Sequence, residues 1–453
     1  NYFARAVNCL IRRVIWFGCH FYMARITRPD KLQPPKGEAY LIHQCLDDVS
    51  FQKEGKLACR YFTILPEWLE NHGKQVYRLP WLFNVNIPLK EVYARLRSSN
   101  CLIPEDWLTL RDYIWSFYQG IKTIFTIRDD LPFDGMNIRS LLQRERCIQW
   151  NGGLSTSLFW RYWRMLCRWT ASLEEIIFIE HYENMPPEHV QAFWAHTHGI
   201  KKSKVLGYFH SIVSRLFIAY HLPPGEEKSK IFPDLIITNG SLGKKILVDQ
   251  GYPEDKIREG PALRQLFPQS KTNEERKNTL LILLSMLPEH AAEHLDKILK
   301  LYEWLQREKI SVFVKKHPMM KKDFLLSLMN WEHLQEGWKW HDGEIYDALS
   351  QSKCTTILAT AGGIDALLSG CLVVPLLPEF GNAMNSVDVL EKEFPILCPV
   401  SQEQIKSRLE EIFITREEFY RTEIKRICNK LIDMLNPVCD NTLSVFLSCC
   451  REK

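Results

Sequence analysis

The chain has 453 residues, of which 46% are hydrophobic and 25% are charged, and this is the composition of a globular protein with ample core-forming material. Its 58 Lys and Arg residues nearly balance its 54 Asp and Glu residues. The resulting net charge of +4 excludes a nucleic-acid binder that works through bulk positive charge. The length predicts two or three domains of about 150 residues each.

The N-terminal segment, residues 8–26, is apolar and aromatic, but Arg12, Arg13 and Arg25 interrupt it. Its uninterrupted apolar runs are shorter than a transmembrane helix needs, and it lacks the cleavage site of a signal peptide. The 14 cysteines form no Cys-x-x-Cys pair and no zinc-ligand cluster, so we expect free thiols. These features predict a cytoplasmic protein that contacts the inner face of the cytoplasmic membrane.

The first half of the chain alternates strand and helix patterns, which predicts a parallel α/β domain. Residues 105–127 and 136–149 give weaker, helical or mixed signals. Ser241 is expected to cap the helix that begins at residue 242. The predicted elements in order are strand 39–43, helix 61–72, strand 74–79, strand 175–179, helix 186–197, strand 204–208, strand 233–238, helix 242–251 and strand 256–260.

A second α/β series follows residues 266–278, which are polar and lack apolar periodicity and therefore read as a linker. Together the patterns predict two Rossmann-like, doubly wound parallel-sheet domains that face a cleft, with a C-terminal helical tail. The predicted boundaries are 1–265, 266–278, 279–415 and 416–453. The predicted elements of the second series are strand 279–286, helix 289–307, strand 312–315, helix 321–330, helix 344–352, strand 354–359, helix 363–369, strand 371–375, helix 402–413 and helix 416–435.

The strongest motif is Lys316-His317-Pro318, at the carboxyl end of the strand 312–315. The proline ends the strand and holds His317 in an extended conformation. Lysine supplies positive charge and imidazole donates a hydrogen bond, so the motif suits a phosphate group. The alternative is an ordinary strand end with solvated lysines.

A second motif follows the strand 354–359 and consists of a turn of small residues, Thr360-Ala361-Gly362-Gly363, and then Asp365. Small side chains allow backbone N–H groups to approach an anion. Asp365 could contact a ribose hydroxyl. The alternative is a turn whose glycines only allow tight packing.

In the first domain Glu180 and Glu183 follow one strand and His210 follows the next. Neighbouring strand ends could bring a carboxylate close to His210, which would give a general base. Surface charge beside a structural histidine is the alternative, and Asp47 or Asp48 is a rival base. Arg264 could contact substrate or phosphate, or it could cap a helix.

Several enzyme classes lose support because their signatures are missing from the sequence. There is no Gly-x-x-x-x-Gly-Lys-Ser/Thr loop, no Gly-x-Gly-x-x-Gly after the first strand and no serine nucleophile elbow. There is also no Asp-x-Asp metal motif. Any sugar transfer is therefore expected to need no metal and no other cofactor.

The sequence resembles bacterial surface-carbohydrate biosynthesis proteins with a GT-B glycosyltransferase fold. The resemblance spans roughly residues 38–400. Lys316-His317-Pro318 with the 360–363 turn is similar to the motifs of transferases that use CMP-linked sialic-type or Kdo-type sugars, and of polymerases that use CDP-glycerol. The chain departs from them in having Ala361-Gly362 where a Ser/Thr pair is expected. The other segments that carry the resemblance are residues 182–186, 207–211, 233–234, 251–253 and 260–264.

The resemblance implies an inverting, metal-independent transfer from a nucleotide sugar, bound by the second domain, to a saccharide or lipid-linked acceptor. The implied donor site comprises Lys316, His317, Pro318, Thr360, Ala361, Gly362, Gly363, Asp365 and Arg264. A CDP-alcohol phosphotransferase, a nucleotide-sugar epimerase and a non-catalytic carbohydrate-binding partner remain alternatives on the same fold.

Two basic and aromatic stretches, Arg12–Arg28 and Trp160–Trp169, are candidates for contact with the membrane. Arginine with Trp and Tyr at helical spacing is typical of a membrane interface. The alternative for Trp160–Trp169 is a core helix with arginines at its edge.

Overall fold

The structure is a computed structural model, and it divides into two compact units. The first unit is Asn1–Phe209, Pro224–Ile237 and Phe446–Lys453, and the second is His210–Pro223 and Thr238–Val445. Residues 238–265 and the C-terminal helices up to residue 445 thus belong to the second unit, which differs from the predicted boundaries at 265 and 416. The residues that the structure describes are 2–29, 33–51, 57, 59–82, 85–125, 132–133, 136–141, 155–184, 188–200, 202–265, 276–318, 320–379, 381 and 384–449.

The first sheet has six strands in the order β2-β1-β5-β6-β7-β8. The pairs β1–β2, β1–β5 and β5–β6 are parallel. The order reverses direction between β1 and β5, as in a doubly wound sheet. The strands, with the small β3–β4 hairpin, are β1 (Gly37–Leu46), β2 (Val76–Leu82), β3 (Pro132–Phe133), β4 (Met136–Asn137), β5 (Leu173–His181), β6 (Lys202–Phe209), β7 (Leu235–Thr238) and β8 (Ile257–Glu259).

The helices of the first unit pack on this sheet through large aromatic side chains. Phe178 of β5 meets Trp194 with their ring centroids 5.8 Å apart, and Trp169 is 1% exposed. Burial of such side chains is the main source of stability for this packing. The helices are α1 (Tyr2–Ile26), α2 (Leu65–Asn71), α3 (Leu89–Ser98), α4 (Leu110–Phe125), α5 (Ser155–Trp169) and α6 (His189–His198).

Helix α5 contains the stretch Trp160–Trp169, and it packs in the core of the first unit. Tyr162 and Leu166 are buried in it. Arg161 is 4% exposed and lies 3.9 Å from the centroid of the Phe17 ring. These buried residues fit the core-helix alternative, and contact with a membrane through the remainder of the stretch stays a prediction.

The second sheet has five strands in the order β11-β10-β9-β12-β13, and each pair in it is parallel. The order reverses between β9 and β12, so this sheet is also doubly wound, as predicted. Its buried Val, Ile and Leu runs agree with a sheet covered on both faces. The strands are β9 (Lys277–Leu283), β10 (Ser311–Lys315), β11 (Trp338–Trp340), β12 (Ser352–Ile357) and β13 (Leu372–Pro375).

The helices of the second unit connect these strands and continue into a helical C-terminal region, as predicted. The helices, which end with one that crosses into the first unit, are α7 (Ser241–Asp249), α8 (Pro288–Leu299), α9 (Tyr302–Arg307), α10 (Lys322–Leu328), α11 (Ile345–Gln351), α12 (Gly362–Leu368), α13 (Gln402–Glu410), α14 (Glu417–Met434), α15 (Asp440–Leu443) and α16 (Val445–Ser448).

Three details differ from the predicted elements. The predicted linker lies outside the described residues from 266 to 275, and its last residues belong to β9, which begins at Lys277. The predicted helix 289–307 is two helices, α8 and α9. Ser241 does not cap α7: Gly240 does, with φ +115°, and a Cβ there would lie 2.5 Å from the Met434 carbonyl oxygen.

Among the described helices, none combines the length and the apolar character that a bilayer-spanning segment needs.

Candidate functional site

The predicted donor residues border the point at which the strand order of the second sheet reverses. Ligands of open parallel sheets bind at the carboxyl ends of the strands beside such a point. Lys316 and His317 follow β10, and the turn Ala359–Gly363 follows β12. Since β9 lies between β10 and β12, the two segments are about 10 Å apart at one sheet edge.

The cationic end of β10 is anchored to both neighbouring strand ends. The Lys315 carbonyl accepts the Leu284 amide at 3.0 Å, and Lys315 Nζ donates to the Gly343 carbonyl. Lys316 and His317 are half-buried. Because Lys315 is engaged with the β11 side, Lys316 is the lysine that this strand end offers to an anion.

The turn after β12 is held by two side chains that the sequence did not single out. Asn385 Oδ1 accepts the Ala359 amide at 2.9 Å, and Ser386 Oγ donates to the Ala361 carbonyl at 3.1 Å. Within the turn, Thr360 Oγ1 accepts the Gly362 amide at 3.3 Å. Ala359 has φ +53°, a conformation that costs a non-glycine residue free energy and is maintained by these bonds.

Both glycines of the turn lie close to neighbouring side chains. A Cβ at Gly362 would lie 2.5 Å from Leu283 Cδ2, and one at Gly363 would lie 2.8 Å from Val387 Cγ1. The alternative stated for this motif, a turn whose glycines allow tight packing, therefore describes Gly362 and Gly363. Solvent reaches the other residues of the turn: Ala359 and Thr360 are half-buried, and Ala361 is exposed.

Arg264 joins the site through a network inside the second unit. Its Nη1 donates to Ser211 Oγ at 2.6 Å, and its Nη2 lies 3.9 Å from Asp365 Oδ2. The Tyr346 hydroxyl donates to Asp365 Oδ1 at 3.1 Å. Asp365 is 5% exposed, and burial raises the pKa of its carboxyl although Arg264 and Tyr346 favour the ionised form.

The first unit has its own reversal of strand order, between β1 and β5. Two buried polar residues lie on these two strands. His43 of β1 and Glu180 of β5 are register partners and are each 1% exposed. Among the described residues, neither ring nitrogen of His43 has a hydrogen-bond partner, and Glu180 Oε2 has none either. Burial, with the charge of Glu188 second, raises the pKa of Glu180 well above its usual range.

Aromatic rings surround His43 and His181. The two imidazole centroids are 5.2 Å apart, Tyr61 stacks on His181 at 5.7 Å, and Trp81 stacks on His43 at 5.9 Å. Burial lowers the pKa of His181 to about 4, although a hydrogen bond with the His43 backbone acts to raise it. Burial and then His181 lower the pKa of His43 well below its usual range. Burial thus favours the neutral form of both imidazoles, and a neutral imidazole can accept one hydrogen bond and donate another.

Glu183 is half-buried and is linked to Glu188, which sequence reasoning missed. Glu188 Oε2 accepts the Glu183 amide at 2.9 Å, and Glu188 Oε1 lies 3.5 Å from His181 Nε2. One ligand atom from each of these three residues lies within 4.8 Å of the others, so the trio could hold a metal ion. Glu188 directly precedes α6, where a carboxylate is favoured by the helix dipole. This position before a helix is the sequence feature from which Glu188 could have been identified.

The rival bases are engaged in other bonds. Asp47 pairs with Arg60 at 2.8 Å and accepts both the amide and the hydroxyl of Ser50. Asp48 accepts the amide and the side chain of Asn86, each at 2.6 Å. His210 is 2% exposed and belongs to the second unit, whereas Glu180 and Glu183 belong to the first.

No protein-family model and no curated protein sequence matches the chain. Among solved structures, TarM superimposes with a TM-score of 0.51 over 92% of this chain and 99% of TarM, at 10% sequence identity. A UDP-GlcNAc 2-epimerase from Neisseria meningitidis bound to UDP-GlcNAc has a TM-score of 0.48 at 12% identity, covering 91% of this chain and 99% of that one. The glycotransferase of kitacinnamycin has a TM-score of 0.47 at 10% identity, covering 88% and 96%.

The likeness to TarM and the two doubly wound parallel sheets confirm the predicted two-domain GT-B fold. At this identity the likeness establishes the fold alone. The donor, the acceptor and the roles of the site residues stay predictions.

Proposed function

We propose that the chain is a GT-B glycosyltransferase that moves a sugar from a nucleotide-activated donor to a surface polysaccharide or glycolipid acceptor. The observation that carries the proposal is the arrangement at the carboxyl edge of the second sheet. Cationic Lys316, with His317, lies on one side of the strand-order reversal, and the Thr360–Gly363 turn lies on the other. Two such polar segments about 10 Å apart suit the phosphate and the nucleoside of one extended ligand.

The donor site would use Lys316 and His317 for the phosphate, with the hydroxyl of Thr360 beside it. Arg264 would supply a second cation, held in place by Asp365 and Ser211. A CMP-linked acidic sugar is our first choice of donor, because its carboxylate and phosphate would need both cations. Because these cations would also stabilise the negative charge that develops on the leaving phosphate, we propose that the transfer needs no metal ion.

The chemistry would be an inverting displacement. The acceptor oxygen forms a bond to the anomeric carbon, the bond from that carbon to the phosphate oxygen breaks, and the electron pair leaves with the nucleotide. The acceptor proton passes to a carboxylate, for which Glu180 and Glu183 are the candidates. A carboxyl group with a raised pKa, such as Glu180, is a stronger base than an exposed one, which suits this step.

The test of the donor site is calorimetric titration of the parent protein with CMP, UDP and CDP, repeated with His317→Ala. We expect one nucleotide to bind and its Kd to rise about tenfold in the variant, as for loss of a hydrogen bond to a charged group. His333→Ala is the matched control, because His333 is an exposed histidine of the same unit. If His317→Ala binds every nucleotide as tightly as the parent, the assignment of the donor site is wrong.

A second experiment separates transfer from the alternatives. The protein is incubated with nucleotide sugars without an acceptor, and the products are separated by chromatography. A glycosyltransferase slowly releases free nucleotide and free sugar, whereas an epimerase returns a nucleotide-linked sugar of changed configuration. Nucleotide binding without either product would favour the non-catalytic carbohydrate-binding alternative.

A further inference from the structure

Helix α1 presents a row of apolar side chains to solvent. Ile11, Ile15, Tyr22 and Ile26 are 52%, 60%, 60% and 52% exposed. Their spacing of four, seven and four residues places them on one face of the helix. The other face is the buried one, with Phe17 and residues that pack beside it. A helix that is apolar on its outer face as well is not explained by the folding of this unit alone.

Helix α4 repeats this arrangement and contacts α1. Leu110, Ile114 and Tyr118, spaced by four residues, are 67%, 65% and 60% exposed. The buried face of α4 meets α1, since the rings of Tyr113 and Phe17 lie 6.3 Å apart. Two neighbouring helices of the first unit therefore each expose an apolar row. We call the two rows together the α1–α4 surface.

The solvent-facing charge on these helices is positive. The first 29 residues contain no Asp or Glu. Arg12 and Arg28 are exposed on or just after α1, and Arg111 and Lys122 are exposed on α4. The only carboxylate of α4 is Asp112, which is 2% exposed and pairs with Arg168 at 2.7 Å. Among the described residues of α1 and α4, the exposed charged side chains beside the apolar rows are cations, and such rows are complementary to a surface that is apolar inside and negatively charged outside.

We propose that the α1–α4 surface binds the surface of an anionic lipid bilayer, with both helices lying in the plane of the interface. Apolar rows enter the acyl boundary, Tyr22 and Tyr118 lie at the headgroup level, and the arginines and lysine face the lipid phosphates. A second copy of this chain would bury the rows but would bring the same cations together, which is unfavourable. This inference rests on the first unit and does not depend on the proposed transfer reaction.

The test is co-sedimentation of the full chain with vesicles of phosphatidylcholine alone and of phosphatidylcholine with 30% phosphatidylglycerol. We expect binding to the mixed vesicles, weaker binding to the neutral ones, and a loss of binding as NaCl rises from 50 to 500 mM. Binding that is equal for the two vesicles and unchanged by salt would overturn the proposal.

Ile15→Asp and Ile114→Asp test the two rows separately. Each removes an apolar contact and adds a repelled charge, so the vesicle partition coefficient should fall about tenfold. Ile432→Asp is the matched control, because this isoleucine is 45% exposed on α14 of the other unit. The unfolding temperatures of all three variants are compared with that of the parent. Equal values show that a change in vesicle binding is not caused by a loss of folding.

Two outcomes would overturn the inference with these variants. One is equal sedimentation of the parent, Ile15→Asp and Ile114→Asp. The other is a concentration-dependent dimer in analytical ultracentrifugation that Ile15→Asp abolishes, in a protein that binds neither vesicle. The second result would identify the α1–α4 surface as an interface between copies of the chain.

Discussion

The guanidinium group of Arg264 lies 3.9 Å from the carboxylate of Asp365. The carboxylate is buried and also accepts the Tyr346 hydroxyl, so it fixes one side of the guanidinium while Arg264 remains 32% exposed. A cation that a buried carboxylate holds on one side, and that is open to solvent on the other, is well placed to bind an anion. Asp365, expected from the sequence to contact ribose, is therefore proposed as the positioning residue of Arg264.

Replacing Arg264 by Gln should raise the Kd of the bound nucleotide about tenfold or more, because a charge-assisted contact to phosphate is lost. Tyr346→Phe is the control: it removes one hydrogen bond to Asp365 but leaves the cation, so the Kd should change less than threefold. Calorimetric titration measures both. An unchanged Kd for Arg264→Gln would exclude a donor contact by this residue.

The pH dependence of transfer should identify the base. A carboxyl group must be ionised to accept the acceptor's proton, so the rate should rise with pH through the pKa of the base. If Glu180 is the base, its raised pKa places this rise above the usual range of a glutamate, and Glu180→Gln should lower kcat at least 100-fold. Glu183→Gln is measured beside it. If both variants keep full activity, the base must be sought at Asp47 or Asp48.

Acid should destabilise the second unit through His294. This side chain is 0% exposed, its Nε2 lies 2.8 Å from Thr356 Oγ1, and burial, with Lys297 second, lowers its pKa to about 3. Below pH 6.5 the unfolded chain takes up a proton that the folded chain does not, so stability falls as the pH drops from 6.5 towards 3. From pH 6.5 to 5 the loss is about 2 kcal/mol.

Calorimetry at pH 7 and pH 5 checks this prediction. The unfolding temperature of His294→Gln, whose side chain cannot titrate, should fall less between pH 7 and pH 5 than that of the parent. Equal losses in the parent and in His294→Gln would show that other groups cause the acid effect.

The 360–363 turn offers a pair of substitutions that separate packing from binding. Gly362→Ala places a methyl group against Leu283 and should destabilise the protein by about 1–3 kcal/mol. Ala361 is exposed, so Ala361→Ser should change stability by less than about 0.5 kcal/mol. Thermal unfolding measures both effects. A Gly362→Ala variant as stable as the parent would show that the turn can relax.

Transfer should continue when divalent metal ions are removed. We expect the same kcat with and without EDTA, because Lys316 and Arg264 are proposed to stabilise the leaving phosphate. The trio His181, Glu183 and Glu188 is where an ion could bind, so Glu188→Gln is titrated with Mn²⁺ beside the parent. Loss of activity in EDTA that Mn²⁺ restores in the parent but not in Glu188→Gln would contradict metal-independent transfer.

The strands and their parallel order could be predicted because parallel strands buried on both faces form continuous runs of Val, Ile and Leu, as in β9 and β12. The helix caps were harder to predict. Gly240 rather than Ser241 is the N-cap of α7, and the close approach that favours glycine there involves Met434, almost 200 residues away. A contact so distant in sequence leaves no local pattern.

The site could be predicted in part. Lys316 and His317 follow a strand that the sequence pattern shows clearly, so their place at the sheet edge could be inferred. His43, Tyr346, Asn385 and Glu188 could not be chosen, because their importance depends on burial and on partners distant in sequence. The role of α5 was open for the same reason: Trp and Arg at helical spacing fit a membrane interface and a protein core equally well.

The chain passes between the two units four times, after Phe209, Pro223, Ile237 and Val445. The first unit is completed by the last described residues, where Phe446 is 0% exposed beside Tyr208 and Lys204 Nζ donates to the Cys449 carbonyl. During synthesis, therefore, the first unit emerges from the ribosome early but lacks a buried part of its core until residues 446–449 follow. For that interval Tyr208 lacks its buried contact with Phe446, and a shortened chain ending at Val445 would lack this contact permanently.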